Sequence, residues 1–221
     1  QSLNIPIKIK KTLNYDTITL SKPKIIKKLN FNIPGDISSA SFFIVLTLLS
    51  EKSHLILRNI NINSTRIGII KILNMMGAKI KFLNVKTLNG EKCSDIEVKS
   101  IKKLKSINCP TNLNSAAIDE FLIIFLVAAK ARGVSYFRDL SELNQKESPR
   151  LKLAAKILKT MGVKLSYNND SIKIYGNPNL KLTKKIVVKD FLKDHRVFMM
   201  SVISALSFGG EWKIFDPISV K

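Results

Sequence analysis

Met76-Gly77-Ala78-Lys79-Ile80-Lys81-Phe82 and Met161-Gly162-Val163-Lys164-Leu165-Ser166-Tyr167 repeat one local plan. Each follows a stretch with helical periodicity, Ile67 to Met75 and Leu151 to Thr160, and each leads into alternating apolar and polar residues. A glycine just past a helical pattern takes up the left-handed conformation that ends a helix, because it has no Cβ to clash. The alternation beyond it has the period of a strand with one covered face.

Working outward from these two stops, longer blocks recur in the same order. The first runs from Gly35-Asp36 through an apolar helix to Leu55-Ile56-Leu57-Arg58-Asn59-Ile60, and then to the helix that ends at Met76-Gly77. The second runs from Ile118-Asp119 through Phe121 to Lys130, then Val134 to Leu140, then the helix that ends at Met161-Gly162. A third opens at Asp194, continues through a helix from Met199 to Ser207 and a strand from Trp212 to Phe215, and is cut short at Lys221. Asn168-Asn169-Asp170 reads as a turn between two strands, Val163 to Tyr167 and Ser171 to Tyr175. Units this small cannot bury their own apolar faces, so the fold class expected is α/β (α+β), one domain of pseudo-symmetric units over residues 31–221. Residues 1–30 hold two strand-like segments, Ile5 to Lys10 and Tyr15 to Leu20, and read as the trailing end of another domain.

Composition narrows the function classes. With 221 residues and 45% hydrophobic content the chain has enough apolar material for a core. Its formal charge of +21 invites a polyanion reading. Only Arg58, Arg66, Arg132, Arg138, Arg150 and Arg196 are arginines, however, and the lysines are spread along the chain among asparagine and isoleucine. That pattern resembles a coding bias more than a nucleic-acid surface, which adds stacking aromatics or bidentate arginines to its lysines. Ile7-Lys8-Ile9-Lys10 and Ile80-Lys81-Phe82 read as strands with one solvated face. Cys93 and Cys109 form neither a disulfide framework nor a metal-ligand spacing, so a reduced, cytoplasmic chain is expected. The longest apolar runs, Phe42 to Leu49 and Phe121 to Ala129, fall far short of the roughly 20 residues that span a bilayer, and read as buried helices.

Three charged segments stand at expected helix starts: Ile118-Asp119-Glu120, Lys146-Glu147-Ser148-Pro149-Arg150 and Asp194-His195-Arg196. Unpaired N–H groups and the dipole make such ends favourable for anions, and arginine adds a planar fork that grips carboxylate or phosphate. Each segment taken alone has an ordinary reading too, with Asp or Ser as a cap and Ser148-Pro149 as a routine helix start with Pro in the first helical position.

Taken together, the motifs resemble the enolpyruvyltransferases of the shikimate pathway, the 3-phosphoshikimate 1-carboxyvinyltransferase family. The matching segments are Pro34-Gly35-Asp36-Ile37-Ser38-Ser39-Ala40, Thr65-Arg66-Ile67-Gly68, Met76-Gly77-Ala78, Ile118-Asp119-Glu120, Lys146-Glu147-Ser148 with Arg150, and Asp194-His195-Arg196 with Met199-Met200. They occur in the family's order over about residues 31 to 221. The resemblance implies a domain of three βαβαββ units with pseudo-threefold symmetry, closing on substrate against a similar N-terminal domain, to which residues 1–30 would belong. It implies transfer of the enolpyruvyl group of phosphoenolpyruvate to the 5-hydroxyl of shikimate 3-phosphate, with phosphate released and no metal or organic cofactor.

Position by position, the resemblance implies Asp119 as base beside the hydroxyl and Glu147 in proton transfer at the methylene carbon. Lys146 would contact shikimate 3-phosphate, Arg150 and Arg196 would clamp phosphoenolpyruvate with His195 in support, and Glu142 aligns near another shikimate 3-phosphate contact. The sequence departs from the pattern at Pro149, where the family has Asp, removing a carboxylate and an N–H donor while leaving a favourable helix start. The groups implied for the N-terminal domain, and a last strand-helix segment beyond Lys221, are absent, so the chain alone is expected to be inactive, and the full-length enzyme is expected to be a monomer. A nucleotide-sugar enolpyruvyltransferase, a basic binding module and a non-catalytic remnant stand as alternatives.

Overall fold

The computed structural model describes residues 5–23, 25, 28, 30–189 and 193–215. A hairpin of β1 (Ile7–Lys11) and β2 (Asp16–Leu20) comes first. It is followed by α1 (Ile37–Leu49), β3 (His54–Asn61), α2 (Gly68–Met75), β4 (Lys81–Leu88) and β5 (Glu91–Lys99). The next run is α3 (Asn114–Ala117), α4 (Phe121–Lys130), β6 (Gly133–Phe137), α5 (Arg150–Thr160), β7 (Lys164–Tyr167) and β8 (Ile172–Gly176). The last is β9 (Leu182–Val188), α6 (His195–Phe208) and β10 (Gly209–Ile214).

The blocks read from the sequence are structural units. β3, β4 and β5 form one antiparallel sheet in the order β3-β5-β4, and β6, β7 and β8 form another in the corresponding order β6-β8-β7. Each unit opens with a parallel pairing across its first long helix. Gly35 bridges Ile60 across α1, Lys105 and Asn108 bridge Arg132 and Tyr136 across α4, and β9 pairs with β10 across α6. The three helices so enclosed, α1, α4 and α6, pack against one another pairwise at the centre. This is the pseudo-threefold arrangement expected, with the first two units complete as βαβαββ and the third described as far as βαβ.

Local chemistry explains the elements. In α4 every residue from Phe121 to Ala129 is buried, as a helix apolar on all sides requires. Phe121, Phe125 and Phe137 meet edge-on or tilted, with ring centroids 5.1–5.9 Å apart. The two Met-Gly stops are the same motif: Gly77 (φ 98°) and Gly162 (φ 85°) are left-handed. The amides of Ala78 and Val163 reach back to the carbonyls of Leu73 and Leu158, and those of Gly77 and Gly162 to Asn74 and Lys159. The Asn168 side chain accepts from the Asp170 and Ser171 amides and so turns β7 into β8.

Several boundaries differ from the sequence reading. α6 starts at His195, as the Asp194-His195-Arg196 segment implied and four residues before the apolar stretch from Met199, because Asp194 caps it by accepting from the Arg196 and Val197 amides. β10 starts at Gly209, whose positive φ ends α6 at once. Asp119 caps nothing: α3 precedes it, and α4 starts after Glu120. Ser148 is not the cap of α5 either. Pro149 holds that position and its carbonyl accepts the first intrahelical bond, from Leu153, while the Ser148 hydroxyl is turned elsewhere. The helix start survives the proline, as expected.

The hairpin is also unlike the expectation of one covered face. Ile7, Ile9, Ile18 and Leu20 share one side, and Lys8, Lys10, Thr17 and Thr19 the other, yet both sides are exposed. Among the described residues no helix is long and apolar enough to cross a membrane. Both cysteines are free and buried, and burial pushes the Cys109 thiol up to about 11.

Candidate active site

The packing of α1, α4 and α6, with α5 laid beside α4 and α6, brings four helix starts to one end of the domain. Arg150, the first residue of α5, is the hub of that end and only 1% exposed. Its Nε donates to Asp194 Oδ2 at 2.9 Å, its Nη1 to Asp119 Oδ1 at 3.2 Å, and its Nη2 to Glu147 Oε2. One guanidinium thus ties the starts of α4, α5 and α6.

Asp194 is fully enclosed and uses both oxygens. Oδ1 caps α6, while Oδ2 also accepts from the Ser148 hydroxyl at 2.7 Å. Burial alone would raise its pKa, but Arg150, Ser148 and the Arg196 amide outweigh burial and hold the carboxyl below the usual aspartate range. This is the work Ser148 does in place of capping.

Arg196, on the first turn of α6, is the second cation. Its Nη1 donates to the Asp119 carbonyl at 3.0 Å, and its Nη2 lies 3.5 Å from Asp119 Oδ2. Asp119 is therefore held by two guanidiniums, with its side chain 30% exposed. Glu147 is 60% exposed and lies over Arg150. The outward carboxylates are thus Asp119 and Glu147, and the cations behind them are Arg150 and Arg196.

Lys146 and Glu142, both read as substrate contacts, pair with each other at 2.8 Å. His195 is exposed, and among the described residues no hydrogen bond or ion pair joins it to the cluster. An anion reaching Arg150 has to exchange places with Glu147 or Asp119, since the guanidinium is 1% exposed and these two carboxylates are its partners on the outward side.

The sequence reading missed a second arm. Glu120, 3% exposed, lies 3.7 Å from Arg196 Nη1 and accepts a hydrogen bond from the Ser38 hydroxyl at 2.5 Å. Ser38 in turn accepts from Arg66 Nη2 at 3.1 Å, and Arg66 lies 3.6 Å from Asp36. All four belong to motifs quoted above, but no spacing in the chain shows that they meet.

An end of a domain with two outward carboxylates and two inward guanidiniums suits proton transfer on an anionic substrate. Comparison with known proteins identifies the family. The pattern of the EPSP synthase (3-phosphoshikimate 1-carboxyvinyltransferase) family matches residues 1–221. A 3-phosphoshikimate 1-carboxyvinyltransferase of Petrotoga mobilis is 39% identical over 80% of the chain and 40% of its own length. One of Staphylococcus aureus is 36% identical over 98% and 49%.

Among solved structures, an EPSP synthase of Acinetobacter baumannii superposes with a TM-score of 0.85 at 32% identity, over 96% of this chain and 48% of that one. The enolpyruvyl transferase NikO of Streptomyces tendae superposes with a TM-score of 0.66 at 13% identity, a likeness of fold alone. The chain spans about half the length of the relatives it matches. On the strength of the full-length match and of motifs that fold into one cluster, the chain belongs to the EPSP synthase (3-phosphoshikimate 1-carboxyvinyltransferase) family.

Proposed function

We propose that the chain supplies one side of an active site that transfers the enolpyruvyl group of phosphoenolpyruvate to the 5-hydroxyl of shikimate 3-phosphate, releasing phosphate. The observation that carries this reading is the convergence of Asp119, Glu147, Arg150 and Arg196 on one end of the domain. Asp119, held between two guanidiniums, accepts the hydroxyl proton as the oxygen attacks C2 of phosphoenolpyruvate. Glu147, the most exposed carboxylate of the cluster, exchanges the proton at C3 as the tetrahedral intermediate forms and then collapses with loss of phosphate. Arg196 and Arg150 balance the phosphate and carboxylate charge, Arg150 after releasing Glu147. Lys146 leaves Glu142 to meet shikimate 3-phosphate, and His195 stands at the rim.

The opposite side of the site belongs to an N-terminal domain of the same enzyme, to which residues 1–30 belong as a trailing segment. The uncovered apolar face of the hairpin supports that division. The complete enzyme is a cytoplasmic monomer with small-molecule substrates, needing neither nucleic acid nor membrane.

The test combines the purified chain with a separately produced amino-terminal half and follows phosphate release from the two substrates. We expect release only from the pair, and a loss of at least about a hundredfold with Asp119→Ala or Arg196→Ala, the size seen when a proton-transfer or charge-stabilising group is removed. A folded, associating pair that releases no phosphate sinks the reading. Turnover by the chain alone contradicts the one-sided site.

A further inference from the structure

Glu120 is a costly residue for the fold. It is almost wholly enclosed, and burial raises its carboxyl pKa above the ordinary range; the Ser38 hydrogen bond and the charges of Arg196 and Arg66 pull the other way, while Asp119 adds to the rise. A buried carboxylate kept against that penalty calls for a structural or chemical reason.

Its contacts give one. Glu120 Oε1 receives the Ser38 hydroxyl from α1 and faces Arg196 Nη1 from α6, and Ser38 Oγ holds Arg66 of the loop before α2. The groups facing it are thus Ser38, Arg66 with its neighbour Asp36, Asp119 and Arg196. Arg196 has the Asp119 carbonyl on Nη1 and Asp119 Oδ2 3.5 Å from Nη2, so both of these contacts come from a single residue that is itself shared with Arg150. Glu120 Oε1, 3.7 Å from Nη1, adds a second and buried counter-charge from a different residue.

We infer that Glu120 is a positioning residue for Arg196: anchored by Ser38 to the first unit, it sets the orientation in which Arg196 meets the anionic substrate. The substrate clause rests on the function proposed above, whereas the orientation clause does not. The idea makes an unusual electrostatic prediction. Removing a negative charge from an anion site should by simple Coulomb attraction tighten anion binding, but if Glu120 positions Arg196, its removal weakens binding.

The first measurement needs no ligand. In the nitrogen-15-labelled chain at neutral pH, a held guanidinium gives separate, slowly exchanging Nη signals, and a swinging one gives averaged signals. We expect separate Arg196 signals in the unsubstituted chain, assigned by their loss in Arg196→Lys, and averaged ones in Glu120→Gln. The Arg150 signals stay separate in both. As pH falls through the raised pKa of Glu120, the Arg196 signals average in the unsubstituted chain and do not change in Glu120→Gln. Thermal melting of Glu120→Gln guards against misfolding, with no loss of stability expected.

The second measurement is phosphoenolpyruvate binding by calorimetry, where Glu120→Gln should weaken affinity on the order of tenfold, and should change nothing further in an Arg196→Ala background. Separate Arg196 signals in Glu120→Gln, or averaged ones in the unsubstituted chain, overturn the inference. So does a Glu120→Gln effect that persists without Arg196. If phosphoenolpyruvate binds to neither form even when each is paired with the amino-terminal half, the proposed function fails while the signals still decide the orientation.

Discussion

Arg150 has three carboxylate partners and almost no contact with water, so its worth is best judged by what its loss leaves behind. Arg150→Ala strands Asp194 as a buried charge, which typically costs about 3–5 kcal/mol. We expect that loss in denaturant unfolding of the chain. Asp194→Asn should fall in the same direction and alter the pH profile. The Asp194 pKa is depressed on folding, so its stabilisation is complete above the ordinary aspartate value and disappears as pH falls through the depressed one. The unsubstituted chain therefore loses stability over that acid range more steeply than Asp194→Asn. Glu120 has the opposite sign. Its raised pKa means that stability falls as pH rises from the ordinary glutamate value through the raised one, so Glu120→Gln should melt no lower than the unsubstituted chain at neutral pH. At this scale the sequence showed which residues were chemically interesting but not their partners. Ser38 and Glu120, 82 positions apart, carry no local signal of their hydrogen bond, and only the packing of α1 on α4 creates it.

Elements were more legible than contacts, because helix stops and strand alternation are written locally. The two Met-Gly motifs place α2 and α5 correctly since their hydrogen bonds lie within a single turn. The misread cap of α5 has the same cause in reverse. Ser148 has the chemistry of a cap, but a distant carboxylate claims its hydroxyl, and Asp194 starts α6 earlier than the apolar pattern shows. Packing between elements also explains a position that no pattern marks. Gly176, at the end of β8, passes so close to the end of α4 that an added Cβ would lie 2.1 Å from the Ala131 carbonyl oxygen and 2.6 Å from that of Ala128. Gly176→Ala must push strand from helix, and we expect it to destabilise the chain by about 1–3 kcal/mol, the usual range for overpacking. A melting temperature equal to that of the unsubstituted chain would count against so tight a contact.

For the molecule as a whole, repetition in the sequence foretold repetition in space, and the three-helix centre follows from helices too apolar to face water. What repetition could not foretell is the hairpin, since alternation promises one covered face and says nothing about what covers it. The consequence is colloidal. Ile7, Ile9, Ile18 and Leu20 offer an adhesive face, and among the described residues the two strands leave unpaired edges, the combination that leads proteins to associate. A formal charge of +21 opposes this through mutual repulsion between copies, but salt shortens the reach of that repulsion to about 3 Å at 1 M while leaving apolar attraction intact. The chain on its own should therefore sediment as a single species in dilute buffer and as larger assemblies in concentrated salt, and Ile9→Lys with Ile18→Lys should abolish the change. Storage of the isolated chain then calls for the reverse of the usual remedy for a strongly basic protein: less salt, not more.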